Sequence, residues 1–408
     1  MPGSQFYEKE FYITSIVSQM DHSFLNVGYQ IFNPLGYVNP GLSSTFKVEI
    51  SDLFNNYRIE GGLRVPFNFR SNEVFLRGIN NSKKVNKGYS LQRTSFKQSF
   101  GTPERQFLTR IQTYEGKSWL EFPINPVSKF QFTFGGRYDL LALLGEESGG
   151  NFINPSGTIF SPNFTNFQLT GKAEYVFNNT HSPAPNVRYG FRGKVFTQAF
   201  QNIVNYDGNT FVFGTDLRHY QKIHRGIVWA NRFAANASLG TDRVLYYLGG
   251  QDNWFFPQYN DAVALPEEGQ FMFQAIATPM RGFIYNSRNG TNFAVFNSEL
   301  RVPLIKYFSV EPLRSEFLEN FQIIGFGDVG SAWTGLHPYS NENSFNVKII
   351  KEKPLTVRIQ NTQEPLLYGY GFGVRSKLFG YYMRFDWSWG IDDGETNSVK
   401  YFTLSLDF

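Results

Sequence analysis

Apolar and polar residues alternate with a period of two along most of the chain, and the pattern is cleanest near the C-terminus. In YYMRFDWSWG (381–390), Tyr381, Met383, Phe385, Trp387 and Trp389 fall on one face, with Tyr382, Arg384, Asp386 and Ser388 on the other. Successive side chains of a β-strand point to opposite faces, so this run predicts a strand between oil and water. LYGYGFGVRSKLFG (367–380) repeats the design: Tyr368, Tyr370, Phe372 and Val374 alternate with Gly369, Gly371, Gly373 and Arg375. Three glycines on one face predict a wall that another segment can approach closely, or a sharp bend. The last eight residues, YFTLSLDF, put Phe402, Leu404, Leu406 and Phe408 on one face and end on an aromatic. Such an edge would aggregate in water but is harmless where it closes a barrel in lipid. The edge of a soluble β-sandwich is the competing reading.

Further strands are predicted near 9–18, 43–52, 57–67, 73–80, 89–98, 106–125, 129–142, 166–178, 187–200, 209–221, 226–239, 291–304 and 320–333. The total is about sixteen, many near the roughly 9–11 residues that cross a bilayer, which is the pattern of a bacterial outer-membrane β-barrel. Short connections such as YQKIHRG (220–226) and SKLFGYY (376–382) interleave with long ones near 19–42, 143–165, 240–290 and 334–365. In such barrels short turns face the periplasm and long loops face outside, so the C-terminus is expected in the periplasm. The stretch 68–105 fits this rhythm least well. With no internal repeat and no linker, the expectation is an all-β, sixteen-stranded antiparallel transmembrane barrel forming one domain over 1–408, with a long loop at about 240–290 folded into its lumen.

Composition strengthens the membrane reading. Phe 44, Tyr 23 and Trp 6 bring the aromatic share to 18%, yet no apolar run approaches the roughly 20 residues of a membrane helix. A barrel reconciles these, because its greasy face is diluted residue by residue with polar ones. Cysteine is absent, which excludes disulfides and thiolate chemistry. The net charge of +4 is spread along the chain and gives no support for nucleic-acid binding. MPGSQFYEKEFY has no signal peptide, so an exported protein starting this way is expected to be a mature or truncated form. No Gly-x-Ser-x-Gly elbow occurs, the five histidines form no metal-spaced pair, and Asp392-Asp393 lie in a short glycine-containing turn. No catalytic residue, metal site or cofactor is therefore assigned, and the chain is not read as an enzyme.

The chemistry that stands out lies in TPMRGFIYNSRNG (278–290), at the end of the longest loop. That loop carries Trp254, Phe255, Phe256, Phe271, Met272, Phe273 and Phe283, large apolar groups that need burial. In NFAVFNSELRVPL the polar face holds Asn297, Glu299 and Arg301; in FQIIGFGDVGSAW, Asp328 shares a face with Phe326 and Gly330. Adjacent antiparallel strands would set Glu299 and Asp328 together on the lumen wall, and a guanidinium between them would satisfy both. Arg281 is the candidate, with Gly282 allowing close approach and Phe283 anchoring the tip. The alternative is a pair of ordinary solvated carboxylates and an arginine on an exposed loop.

Met280-Arg281-Gly282-Phe283, FNSELRVPL, GFGDVGSAW and the aromatic C-terminal strand resemble, in this order, the BamA superfamily of sixteen-stranded outer-membrane barrels. The resemblance covers about 226–408, with strand rhythm alone before it. It implies that Arg281 of the sixth extracellular loop contacts Glu299 and Asp328 inside the lumen, with Gly249-Gly250 part of the same loop. Met280 departs from the usual β-branched residue, and the family's N-terminal periplasmic POTRA module is not found in this chain. The implied function is insertion or translocation of polypeptides in the outer membrane of a Gram-negative bacterium, through a seam between EFYITSIVSQ, with Tyr12, Thr14 and Ile16 on one face, and YFTLSLDF. Partners would be outer-membrane lipid, unfolded or partly folded polypeptide clients and accessory proteins, with no nucleic acid. A passive pore or receptor barrel is the second reading, and a membrane anchor for an enzyme domain lost from the N-terminus is the third.

Overall fold

The computed structural model of the chain describes residues 9–21, 28–34, 36–102, 105–148, 151–153, 163–184, 187–204, 208–266, 270–309, 312–340, 343–352, 355–360 and 363–404. Among them, sixteen strands have ten residues or more. In chain order these are β1 (Phe11–Asp21), β2 (Ser43–Asp52), β3 (Tyr57–Pro66), β4 (Ser71–Asn80), β5 (Asn86–Thr102), β6 (Arg105–Asn125), β7 (Ser128–Ser148), β8 (Asn163–Asn178), β9 (Val187–Asn202), β10 (Asn209–His224), β11 (Ile227–Gly240), β12 (Asn292–Val302), β13 (Gln322–Trp333), β14 (Leu367–Leu378), β15 (Tyr381–Asp392) and β16 (Glu395–Leu404). Each expected strand is present, with its ends moved by a few residues. The largest changes are at β7, expected to end at 142 and running to Ser148, and at the C-terminus, where the strand expected over 401–408 begins at Glu395.

The chain forms two compact units. The first holds the antiparallel ladder β1 through β7. In it, β6 and β7 run for 21 residues each, about twice the length that crosses a bilayer. The second holds the ladder β9 through β16, again antiparallel throughout, together with residues 27–39 from the connection after β1.

Burial runs opposite to that of a water-soluble sheet. On β12, Asn297, Glu299 and Arg301 are buried while Phe296 and Leu300 are exposed; on β14, Arg375 is buried while Tyr368, Tyr370 and Phe372 are exposed. The outward aromatics stack across strands, Tyr370 on Trp389 at 5.8 Å and Phe372 on Trp387 at 5.4 Å. An apolar face of this extent is unstable in water and natural in lipid, where charges must turn inward.

Two local features depart from expectation. Tyr12, Thr14 and Ile16 do not share an uninterrupted face, because the register of β1 on β2 shifts between Ile13 and Ser15. The extra residue is a bulge, and Phe11, Ile13, Ile16 and Val17 are all exposed around it. The connection 303–321, for which the alternation predicted no element, carries two short helices, α1 (Leu304–Phe308) and α2 (Glu316–Glu319).

If the outward aromatic face lies in lipid, Phe233→Arg on β11 costs about 2–4 kcal/mol near the bilayer midplane. Denaturant unfolding of the barrel in phosphatidylcholine vesicles measures this, and an unchanged midpoint would place that face in water.

Candidate functional site

The connection between β11 and β12 is ordered by its own small sheet. Asp242–Leu248 pairs in parallel with Gln270–Ala277 and antiparallel with Arg288–Gly290. A fourth strand, Gln30–Ile31, comes from the segment after β1 and pairs with Phe273 and Gln274. Gln274 holds the junction. Its fully buried side chain accepts hydrogen bonds from the Asn33 backbone N–H (3.1 Å) and the Tyr247 hydroxyl (3.2 Å), and donates to the Gly36 carbonyl (3.1 Å). Tyr29 packs between Phe200 of β9 and Phe273. Trp254, Phe273 and Phe283 find the burial their size demands. Phe256 does not: the chain bends at Phe255–Phe256, and its ring is 69% exposed.

Met280-Arg281-Gly282-Phe283 lies against the inward face of β12 to β16. The arginine Nε and Nη2 donate to the two oxygens of Asp328 at 2.7 and 2.6 Å, its backbone N–H donates to the same carboxylate at 3.1 Å, and Nη1 donates to Glu299 at 2.5 Å. The guanidinium carbon stands 3.7 Å from the centre of the Phe326 ring. Arg281 and Glu299 have no exposed surface. Burial by itself disfavours the charge on Arg281, but the negative charges of Asp328 and Glu299 outweigh it and hold the proton on the guanidinium more firmly than usual. Register explains the convergence: Glu299 lies opposite Phe326 and Asn297 opposite Asp328, so both acids share one face a single step apart.

The two acids are not equivalent. Glu299 also accepts from Arg301 (2.7 Å) and from Arg375 (3.1 and 3.2 Å), so three guanidiniums surround it. The ion pairing described for Asp328 is all with Arg281. Removing Arg281 therefore leaves Glu299 satisfied and Asp328 buried without compensation, which is the costly kind of loss.

Glycine makes the approach possible. A Cβ on Gly369 would collide with the Arg281 carbonyl, so the glycine face of β14 is where the loop touches the wall. Gly282 takes φ +93, and a Cβ there would sit 2.7 Å from Gly390 of β15. Beside them, Phe283 is clamped through its backbone. Its N–H donates to the Tyr401 hydroxyl (3.0 Å), which donates in turn to the Phe283 carbonyl (2.6 Å). Met280 is buried among apolar side chains, and Gly250 holds the turn by bonding Met280 and Phe283.

Other anchors were not singled out from sequence. Arg288 donates to Asp392 at 3.0 and 2.5 Å and to the Glu364 carbonyl at 2.9 Å, a second arginine clamp on the same loop. The signal for it was the second arginine of TPMRGFIYNSRNG together with an acid at the end of a strand. Arg232 donates to the Thr278 carbonyl (2.8 Å), Asn297 to the Pro279 carbonyl (2.9 Å) and Gln251 to Asp386 (3.1 Å). Of the C-terminal residues, Phe402 and Leu404 are half-buried on β16. Leu406 and Phe408 lie outside the described residues.

No model of a known protein family matches the sequence, and no curated protein sequence does. Solved structures do. BamA from Haemophilus ducreyi lacking POTRA domains 1–3 is 11% identical with a TM-score of 0.55, and the match covers 98% of this chain and 74% of that one. CdiB from Acinetobacter baumannii is also 11% identical, with a TM-score of 0.50 and 98% and 60% covered. This chain therefore spans about three quarters of the first and three fifths of the second. What they share at this identity is the fold.

Breaking the buried pair with Arg281→Ala costs about 3–5 kcal/mol, and Arg281→Lys recovers little because one ammonium cannot reproduce the fork. In double-mutant cycles the coupling of Arg281 to Asp328 exceeds its coupling to Glu299, and charge reversal at Arg281 is partly rescued by reversal at Asp328. Denaturant unfolding of the four corners of each cycle measures this; absence of coupling at Asp328 would mean that the clamp is not formed.

Proposed function

We propose that this chain, which has the fold of the BamA-superfamily barrels, inserts or translocates polypeptides at the outer membrane of a Gram-negative bacterium, with its C-terminus in the periplasm. The observation that carries this reading is the fully buried clamp of Arg281 on Asp328 and Glu299. A pore built only for passage has no use for a long loop pinned across its inner wall by a guanidinium and fitted glycines. A machine that handles chains does, because a polar clamp is directional and can be released and remade as a unit, unlike a continuous apolar core.

Clients are unfolded or partly folded polypeptides, taken up along a seam between β1 and β16 by β-augmentation, in which an incoming strand gains affinity from main-chain hydrogen bonds. The apolar side chains exposed along β1 suit a strand that lies against lipid and can accept another strand.

The test is reconstitution in phospholipid vesicles with an urea-unfolded outer-membrane barrel as client, following its folding by the heat-dependent shift in gel migration. The wild-type chain accelerates client folding over empty vesicles, and Arg281→Ala returns the rate to near the unassisted value. Single-channel recording of the same samples shows low conductance for wild type and a larger, noisier one for Arg281→Ala. A large, steady conductance unaffected by the substitution, with no acceleration of client folding, would identify a passive pore instead.

A further inference from the structure

The outward face of β4 to β7, in the first compact unit, changes chemistry partway along. Its inward positions are polar and buried, among them Glu73, Thr94, Glu115 and Asp139, so the exposed Val74, Leu76, Leu91, Tyr114 and Tyr138 belong to the lipid side. These outward side chains border a groove of about 740 Å³ whose floor is glycine. Gly116 of β6 and Gly136 of β7 lie directly opposite each other. A Cβ at Gly116 would touch Leu91 at 3.4 Å, and one at Gly136 would touch the Phe167 ring of β8 at 3.2 Å. Paired glycines leave a slot in the apolar wall, and glycine within a strand marks a place where a ligand or another chain comes close.

Beside the groove the same face becomes basic. β4 begins at Ser71, opposite Phe96, and β5 and β6 run on past it. There Lys97 stands directly opposite Arg110, and its backbone N–H donates to the Arg70 carbonyl at 2.9 Å. Arg93, on the same face of β5, lines the groove itself. Neutral groups hold it: Nε donates to the Tyr114 hydroxyl at 3.3 Å and Nη1 to the Asn72 side-chain oxygen at 3.2 Å. The nearby acids face inward and are taken, Glu60 by Arg77, Glu115 by Lys117 and Asp139 by Arg137. Among the described residues no carboxylate pairs with Arg70, Arg93, Lys97 or Arg110. Like charges directly opposite on one face repel, so Lys97 and Arg110 call for an anion from outside the chain.

We infer that this face is a binding site for a phosphorylated, multiply acylated glycolipid of the outer leaflet, with its phosphates on Lys97, Arg110 and Arg93 and an acyl chain in the Gly116–Gly136 groove. The inference rests on the outer-membrane orientation proposed above, which puts the start of β4 outside, and it names the lipid and the strands that hold it. Charge and shape select the occupant together. A guanidinium fork takes two phosphate oxygens and a lysine binds as a point charge. At about 3.3 Å per residue, Arg93 and Lys97 are about 13 Å apart along β5, a span that suits two phosphates better than one. Basic clusters at a membrane surface attract anionic headgroups, and here the cluster adjoins an apolar slot open to the acyl region.

Native mass spectrometry of the folded barrel in dodecyl maltoside tests this without a client or a bilayer. Wild type is expected to retain bisphosphorylated lipid A at least tenfold more tightly than phosphatidylcholine or inorganic phosphate. Arg93→Gln/Lys97→Gln/Arg110→Gln is expected to lose that preference. Gly116→Leu, which fills the groove and leaves every cation, is expected to weaken lipid A retention at least fivefold while still migrating as a folded barrel. Equal retention of lipid A by wild type and either variant, or of lipid A and phosphatidylcholine by wild type, would overturn the inference. So would inorganic phosphate held as tightly as lipid A, which would mean a simple anion site, or a dimer in place of the lipid adduct, which would mean a second copy on this face. A wild type that retains lipid A selectively but does not speed client folding upholds the site and overturns only the function proposed above.

Discussion

Charge neutralisation on the inward face of β12 and β13 is the constraint on which this site depends. The outward faces of these strands are apolar, so their ionisable residues turn inward, where Glu299 and Asp328 lie one register step apart. Two buried carboxylates this close cannot both remain ionised without cations. The wall supplies Arg301 and Arg375, and both reach Glu299. Asp328 receives its cation from outside the wall, from the loop, through two guanidinium bonds and a backbone N–H. In this sense the sheet is incomplete until the loop is docked. Such a pair adds little net stability, because dehydrating the ions offsets most of their attraction, but it penalises every misplaced arrangement by several kcal/mol. The clamp specifies where the loop goes more than it holds the barrel together.

Shape reinforces that specification. An arginine carbonyl can reach the wall only where β14 presents Gly369, and Gly282 meets β15 only at Gly390. From this contact the loop extends in two directions through bonds of different kinds. Towards β16 the link is Tyr401, polar to Phe283 and aromatic to Trp254. Towards the segment after β1 it is the buried amide of Gln274, bonded to Asn33 and Gly36. The loop is therefore a folded body with several anchorages, the Arg288–Asp392 clamp among them, and of these the one at Arg281 carries a fully buried charge on both sides.

Much of this was legible in the sequence, for reasons that can be stated. A strand with lipid on one side and a polar interior on the other must alternate strictly, and so the strand positions, the glycine face of β14 and the inward direction of Glu299 and Asp328 could all be read from period two. An arginine beside glycine in a loop rich in aromatics could be matched to those acids by charge. What escaped lacks such a constraint. VLYYL (244–248) is buried on both faces and reads as an unpatterned apolar run, so neither its parallel pairing with 270–277 nor the contribution of Gln30–Ile31 leaves a local trace. Arg288 and Asp392 meet across a separation that no spacing rule spans. The bulge at Thr14 arises from register, which the alternation of β1 alone does not contain.

The proximity of clamp and strand edge has a thermodynamic consequence. Arg281 and Phe283 are two residues apart, and Tyr401 joins Phe283 to Trp254, so the docked loop and the covered edge of β16 are parts of one packed unit. Whatever loosens the hold of Tyr401 on Phe283 therefore weakens the clamp, and by linkage a weaker clamp loosens the cover on that edge by the same free energy. The strength of the Arg281–Asp328 pair would then set how readily the edge is exposed, and Glu299, secured by its own arginines, would keep the wall intact while the loop moves. The unequal supply of cations to the two acids is what such a division requires: one carboxylate fixed within the sheet, the other satisfied only while the loop is docked.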